Sequence, residues 1–413
     1  MKSWKVYLYS MLMFAFVAWA AGASAEKIVI GYSGPLSGPA AEFGQDCLNG
    51  VDMAINELNA GGGVTIKGNK YTFKLEKLDD RVDATQAKNN TIRFISQYKS
   101  PIVFNPIATT IGAMMSIPQT PGTEFIIAGY TSIHNVLDKG HPMIITPTPN
   151  FLVYANNMAN VAWERGWKKC AMVVTLGGYG DAWRKAFKHI WVNKGGQIVG
   201  DFPANYFTET DFSSQLASAL VNKPDFLLIG GPSSTTALVV EQARNMGFKG
   251  GLVMIDQAKP ERVAKLLNNV SLLEGMIGTA ACKDLPLPAT AAFSDKYKAA
   301  YKRDMSWECA LNYSMMHLLA KAMKAADSIK AVDIRRNVYK GLPALGDKYP
   351  NELFGIADNG VMYTGAVMQY VVNGKFSKVD YVMSFPKTRV EFDKYKKMSK
   401  SPEPERIRWL PVQ

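Results

Sequence analysis

The chain has 413 residues, of which 47% are hydrophobic and 20% are charged, and its formal net charge is +12. These proportions are typical of globular proteins and exclude disorder along most of the chain. The basic residues are scattered and form no stripe interleaved with aromatic side chains, so we expect no nucleic-acid partner. No two histidines stand at i, i+4 spacing near a carboxylate, so we expect no metal site.

The first 25 residues have the pattern of a secretory signal peptide. Two lysines precede an apolar run at residues 6–20, and the small residues Ala23-Ser24-Ala25 stand at cleavage-site spacing. The apolar run is shorter than the ~20 residues that a membrane-spanning helix needs. We therefore predict cleavage before Glu26 and a mature chain that is located in the periplasm.

The first half of the mature chain alternates short β-rich runs with amphipathic segments. Strands are predicted at residues 28–30, 73–78, 102–104, 125–128 and 143–146. Between the first two of them, Leu48, Val51 and Ile55 recur at helical spacing, and Gly61-Gly62-Gly63 ends that helix. This alternation predicts an α/β fold with a parallel sheet that carries helices on both faces.

The same plan restarts after Pro147 and Pro149. Strands are predicted at residues 171–175, 197–199, 226–229, 252–255 and 276–280, so that five strands stand in each half. Helices follow at residues 289–304, 307–326 and 331–340. Asn373-Gly374 then predicts a type I′ hairpin between strands at 367–372 and 375–383.

The duplicated plan predicts two doubly wound parallel-sheet lobes joined by a multi-strand hinge. We expect residues 26–147 and 280–365 in the first lobe and residues 148–279 and 366–413 in the second. Open α/β sheets bind ligands outside the carboxyl ends of their strands. A cleft between two such lobes would collect those loops, and lobes joined by several crossovers can close around a ligand.

Four cysteines, Cys47, Cys170, Cys282 and Cys309, would lie in an oxidising compartment, where disulfide bonds can form. Four cysteines permit three pairings, and their spacing shows no CxxC motif that would choose among them. We expect either a Cys282–Cys309 bridge or no bridge at all.

Three runs near the predicted amino terminus of the mature chain carry a family resemblance. They are Ser33-Gly34-Pro35-Leu36-Ser37-Gly38, the helix that stops at Gly61-Gly62-Gly63, and Leu78-Asp79-Asp80. This pattern resembles the periplasmic branched-chain amino-acid-binding proteins of ATP-driven importers, which have the type I periplasmic binding fold. The resemblance covers essentially the whole mature chain. It implies a monomeric receptor that holds a small amphipathic solute, such as a branched-chain or other hydrophobic amino acid, and delivers it to the permease subunits of an ABC importer.

The resemblance also implies a ligand-binding site. In the family, helix N-termini and hydroxyl groups bind the ligand carboxylate, an acidic residue binds its ammonium group, and aromatic rings pack on its side chain. Matched to this sequence, the implied site residues are Phe43, Ala108, Thr109, Tyr130, Thr131, Tyr179, Ser233, Asp256 and Trp307. Because Ala108 stands nearest the family's contacting Ser, the hydroxyl would come from Thr109 or Thr110. Asp256 would hold the ammonium group, and Thr131 is the main contact in its loop.

Other roles for these residues stay open at this stage. Both threonine-containing loops could simply cap helices, and Asp256 could be the N-cap of a helix that starts at Pro260. Ser233 stands where the family has a Tyr, so the pocket would differ in volume from that of a leucine-binding protein. His134 is a possible polar contact, although an exposed loop residue is the more common role.

Three classes of function compete for such a fold. The sequence has no GxSxG elbow, no HExxH motif and no phosphate-binding P-loop, so we expect no enzymatic activity, no catalytic residues and no cofactor. The receptor described above is the main prediction. The alternatives are the same fold binding an aromatic acid or a small amide, or acting as a periplasmic sensor.

Overall fold

The computed structural model describes residues 25–133, 141–383 and 407–409 of the chain. Most of the predicted signal peptide, residues 1–24, lies outside the described residues, as do His134 and the basic stretch at residues 384–406. None of the described helices is long and apolar enough to cross a membrane.

The strands of the structure fall close to the predicted positions. In chain order they are β1 (Glu26–Gly34), β2 (Val64–Ile66), β3 (Asn69–Asp79), β4 (Ile102–Asn105), β5 (Ile126–Gly129), β6 (Ile144–Ile145), β7 (Lys169–Val174), β8 (Gln197–Asp201), β9 (Phe226–Gly230), β10 (Gly251–Met254), β11 (Met276–Thr279), β12 (Gly355–Ile356), β13 (Met362–Tyr363), β14 (Ala366–Val372), β15 (Lys375–Phe376), β16 (Asp380–Met383) and β17 (Ile407–Trp409). All ten strands predicted before residue 281 are therefore confirmed.

The helices fill the intervals between these strands. They are α1 (Ala41–Ala60), α2 (Ala84–Ser96), α3 (Ala108–Met115), α4 (Phe151–Glu164), α5 (Gly178–Asn193), α6 (Ser213–Leu220), α7 (Ser233–Asn245), α8 (Pro260–Leu267), α9 (Pro288–Tyr301), α10 (Trp307–Ala326) and α11 (Ala331–Asn337). Short 3-10 helices occupy Val270–Leu273, Cys282–Asp284 and Val338–Gly341.

The first lobe is built on a six-stranded sheet with the order β2-β3-β1-β4-β5-β6. Its strands run parallel except β2, which pairs antiparallel with β3 and was missed by the sequence analysis because three residues are too few to show alternation. Helices α1 and α10 pack on this sheet, and their buried side chains form one core with those of β1 and β4. Thus residues far apart in sequence, such as Val51 and Met316, share the same core.

The glycine-rich run at residues 61–63 ends α1, as predicted. Gly63 has a φ of +75°, and a Cβ atom there would lie 1.9 Å from the carbonyl oxygen of Tyr71. Only glycine can adopt this backbone conformation so close to the neighbouring strand. The turn therefore fixes how the chain leaves α1 and enters the sheet.

The second lobe contains a nine-stranded sheet in which β14-β11-β10-β9-β7-β8 are consecutive neighbours. Strands β7 to β11 are parallel, whereas β14 is antiparallel to β11 and to β16. Asn373 and Gly374 both have positive φ angles, +53° and +68°, which confirms the predicted tight turn. The chain passes between the lobes near residues 146–150, 280–287 and 364–366. The predicted α/β fold with two parallel-sheet lobes is confirmed.

All four cysteines are free and buried, so of the two predicted alternatives the Cys282–Cys309 bridge is wrong and the chain without a bridge is the one observed. The thiol of Cys309 stays within its own helical turn, where it donates to the Ser306 carbonyl oxygen and accepts from the Ser306 amide, both at 3.1 Å. Burial raises the pKa of Cys309 to about 12. A thiol that is buried and protonated is a poor nucleophile for disulfide exchange.

Candidate ligand-binding site

A cavity of about 320 Å³ lies between the two lobes. Its volume is at the small end of the range of sites that hold small molecules. The loops after β4, β5, β7 and β10 reach it, as expected for the carboxyl ends of parallel strands. Seven residues of the implied site line it: Phe43, Ala108, Thr109, Tyr130, Thr131, Tyr179 and Asp256.

The other two residues of the implied site, Ser233 and Trp307, lie outside this cavity. Ser233 is the buried first residue of α7; its hydroxyl accepts a hydrogen bond from the Lys259 amide at 3.3 Å, and it lines a smaller adjoining pocket. Trp307 donates from its ring nitrogen to the Ala280 carbonyl oxygen at 2.8 Å. That bond holds the ring against the chain segment that passes between the lobes, and the next residue, Glu308, lines the cavity instead.

Asp256 follows β10 and is held by hydrogen bonds from the second lobe. Its Oδ1 accepts from the Tyr179 hydroxyl and from Nε1 of Trp183, the latter at 3.0 Å. Burial raises the pKa of Asp256, and hydrogen bonds from Ser132 and the two aromatic residues partly offset that rise. The N-cap of α8 is Lys259, so Asp256 is not the cap that the sequence left open.

Two helix N-termini face each other at the cavity. Neither α3 nor α5 has a side-chain cap, so the N–H groups of their first turns stay open to a ligand. The two termini are close, because a methyl group on Gly178 would lie 3.8 Å from Cγ2 of Thr109. Open N–H groups and two helix dipoles at one place favour an anion.

The hydroxyl groups around these termini differ in their availability. Thr110 bonds to Asn105 Oδ1 at 2.7 Å, and Thr131 accepts from the Ile133 amide at 3.2 Å. Among the described residues, no side chain or backbone group hydrogen-bonds the hydroxyl of Thr109. Thr109 is therefore the threonine of its loop whose hydroxyl is free to contact a ligand.

Aromatic and aliphatic side chains form the remaining wall. The rings of Phe43 and Tyr130 meet edge to face, with centroids 5.9 Å apart, and Ile107, Leu176 and Phe207 line the same space. Burial raises the pKa of Tyr130 well above its ordinary value, so its hydroxyl stays protonated. This wall suits the apolar part of an amphipathic ligand.

Glu308 and Lys259 form a buried ion pair at the cavity wall that the sequence analysis missed. Lys259 Nζ lies 3.2 Å from Glu308 Oε2 and 3.9 Å from Asp46 Oδ2. Burial lowers the pKa of Lys259, but these two carboxylates outweigh it and hold the pKa above its ordinary value. The one sequence signal for Glu308 was an acidic residue within the apolar run that begins α10.

Comparisons with known proteins agree with this architecture. A model of the periplasmic binding protein family matches residues 27–375. The Leu/Ile/Val-binding protein of Escherichia coli K12 is 27% identical over 295 residues, which cover 69% of this chain and 75% of that protein.

Two solved structures share the fold. A leucine-binding protein from Thermotoga maritima has a TM-score of 0.73 at 24% identity, over 85% of this chain and 98% of its own. A solute-binding protein of an ABC transporter from R. palustris, in complex with benzoate, has a TM-score of 0.71 at 17% identity, over 86% of this chain and 95% of its own. These relatives bind solutes and are not enzymes, and neither is this protein. The chain belongs to the periplasmic binding protein family.

Proposed function

We propose that this protein captures an α-amino acid with an amphipathic or apolar character between its lobes and delivers it to an ABC importer. The observation that carries the proposal is the pairing of opposite charges in one cavity. Asp256 offers a carboxylate to the ligand ammonium group, and the open N-termini of α3 and α5 offer N–H groups to the ligand carboxylate. The name of the Escherichia coli relative, a Leu/Ile/Val-binding protein, supports the same ligand class.

An aromatic acid is the second candidate. The rings of Phe43 and Tyr130 could stack on it, and the R. palustris neighbour holds benzoate. Such a ligand has a carboxylate for the helix termini but no cation for Asp256. It would leave the Asp256 carboxylate buried without a cationic partner, which is costly. The amino acid therefore accounts for more of the site.

The other parts of the proposal concern location and partners. The export signal supports a periplasmic location, and the family supports permease subunits of an ABC importer as partners. We propose that the protein acts as a monomer, with residues 26–147 and 280–365 forming the first lobe and residues 148–279 and 366–413 the second.

A ligand screen tests the proposed function. Thermal unfolding of the mature chain is measured with each of the common amino acids, with benzoate-type acids and with small amides. A ligand that binds only the folded state at about 100 times its Kd stabilises it by about 2.7 kcal/mol. We expect stabilisation by amino acids and none by the same compounds lacking the ammonium group. A shift with benzoate-type acids alone would replace the amino acid by the second candidate, and no shift with any compound would contradict the receptor function.

In the described part of the chain, three basic residues form ion pairs between the lobes beside the cavity. The three basic residues recur at every third position, with the first at the N-cap of α8 and the other two within it: Lys259, Arg262 and Lys265. Each of them contacts an acidic residue of the first lobe. Nη2 of Arg262 lies 2.8 Å from Oε1 of Glu42, and Nζ of Lys265 lies 2.8 Å from Oδ2 of Asp304. If ligand binding closes the lobes, these ion pairs form when the lobes close.

Asp304→Asn removes one of these pairs outside the cavity. Because exposed ion pairs contribute about 0–1 kcal/mol, we expect at most a fivefold loss of affinity, by the same factor for every ligand. Isothermal titration at low and high salt measures it, and the loss should vanish at high salt, where such pairs are screened. A change in ligand preference in this variant would contradict the placement of this ion pair outside the ligand-binding cavity.

A further inference from the structure

The carboxylate of Glu308 has one oxygen to which no described residue donates a hydrogen bond. The residue is only 4% exposed and lines the cavity, and its Oε2 accepts from Lys259. Within the described parts of the chain, no hydrogen-bond donor reaches Oε1. A carboxylate can accept about four hydrogen bonds, and an acceptor that a ligand desolvates without pairing is costly. Oε1 is therefore an acceptor that a bound ligand can use.

The Tyr130 hydroxyl is a second open polar group at the cavity. It also lines the cavity, and no described residue hydrogen-bonds it. Burial raises the pKa of Tyr130, and the negative charge of Glu308 raises it further. A hydroxyl can both donate and accept. The residues that line the cavity thus supply an open hydroxyl in addition to the open carboxylate oxygen.

We propose that Glu308 determines specificity and that the ligand is an amino acid whose side chain carries a hydrogen-bond donor. The donor is a hydroxyl, amide or amino group, and it binds Oε1 of Glu308. This inference rests on the proposed function and narrows it. A purely aliphatic side chain would reach the same place and leave Oε1 desolvated and unpaired.

The ion pair between Glu308 and Lys259 does not use both oxygens of the Glu308 carboxylate. Pairing with Lys259 uses Oε2 alone and fixes the orientation of the carboxylate. Asp46, the other acid near Lys259, already accepts from Nε of Arg303 at 2.8 Å. It also lies farther from the lysine than Glu308 does. Lys259 therefore holds Glu308 in place through one oxygen, and the other oxygen has no donor among the described residues.

Matched ligand pairs test the proposal. The pairs are valine and threonine, leucine and asparagine, phenylalanine and tyrosine, and benzoate and 4-hydroxybenzoate, and each Kd is measured by isothermal titration at neutral pH. The two members of a pair differ mainly in the donor. We expect the donor-bearing member of at least one amino-acid pair to bind about 10- to 100-fold more tightly, because hydrogen bonds to charged groups are strong.

Glu308→Leu removes the acceptor and introduces an apolar side chain of similar size. We expect the ratio of the two Kd values in the preferred ligand pair to fall to about one. Asp304→Asn, which disturbs an ion pair between the lobes outside the cavity, should keep the wild-type ratio. Glu308→Gln serves if the leucine variant does not fold, and it should reduce the ratio at least threefold. Circular dichroism verifies that each variant is folded.

The outcomes separate this inference from the proposed function. Amino acids that bind without preference for the donor-bearing member overturn the role of Glu308 and leave the receptor intact. A preference that persists in Glu308→Leu overturns it as well. A preference confined to 4-hydroxybenzoate supports the role of Glu308 and overturns the amino-acid ligand. No binding by any member overturns both.

Discussion

Replacing Asp256 with Asn is expected to weaken ligand binding by about 2–5 kcal/mol, or roughly 30-fold to several thousandfold. The substitution keeps the size of the side chain but removes the charge that would pair with the ligand ammonium group. Tyr179 and Trp183 both donate to Oδ1, and the asparagine oxygen can still accept from them. The geometry of the site therefore survives while its charge is lost, and isothermal titration measures the result.

The stability of the same variant separates a binding role from a folding role. Burial raises the pKa of Asp256, so at neutral pH the charged carboxylate is less favourable in the folded chain than in the unfolded one. Removing the charge should leave the melting temperature of the unliganded protein unchanged or higher. A large drop in that temperature would mean that Asp256 mainly holds the fold together, and undiminished affinity would rule out the ammonium contact.

The raised pKa of Asp256 also predicts how ligand binding depends on pH. A protonated Asp256 cannot pair with an ammonium group, so affinity is expected to fall as the pH is lowered. Because the pKa of Asp256 is raised, the loss should begin at a higher pH than an ordinary aspartate would give. In Asp256→Asn this part of the profile should be flat, whereas Asp304→Asn should keep the wild-type shape.

Much of the fold could be predicted because local sequence patterns match local burial. Strand β7 is a run of buried apolar residues after Lys169, and β9 and β10 are buried along their whole length. Buried parallel strands have this composition, so their positions can be recognised without knowledge of their partners. Strand β2 was missed because its three residues depend on pairing with β3, which is a tertiary property.

The site was partly predictable for a related reason. Asp256, Tyr179 and Thr109 each follow a recognisable strand, and the carboxyl ends of parallel strands converge on one edge of a sheet. Trp307 lies at the start of α10, a late helix that packs on the first lobe. Whether that tryptophan or the adjacent Glu308 turns to the cavity depends on the packing of α10 on the first lobe, and no local pattern decides it.

Long-range contacts set the limit of the prediction. Lys259 meets Glu308 across 49 positions of sequence, and neither residue indicates the other. The cysteines present the same difficulty, since the position of the Cys309 thiol is decided by its bonds to Ser306. The elements could thus be placed from sequence, whereas the contacts between them required the structure.

Gly180→Ala should damage stability and binding together. A Cβ atom at Gly180 would lie 1.8 Å from the Thr175 carbonyl oxygen and 2.8 Å from its carbon, and both are backbone atoms that cannot rotate away. The first turn of α5 must therefore shift. We expect a loss of about 2–4 kcal/mol in the free energy of unfolding, measured by chemical denaturation.

The same shift moves Gly178 and Tyr179, which line the cavity. A displacement of about 1 Å at a positioning residue can cost up to about a hundredfold, so we expect affinity to fall at least tenfold. Gly112→Ala in α3 is the matched control, because a Cβ atom there meets nothing within 4 Å. It should raise stability by about 0.5–1 kcal/mol and leave affinity unchanged. If Gly180→Ala binds as tightly as the wild type, the N-terminus of α5 does not hold the ligand carboxylate, and the anion would have to be assigned to α3 alone.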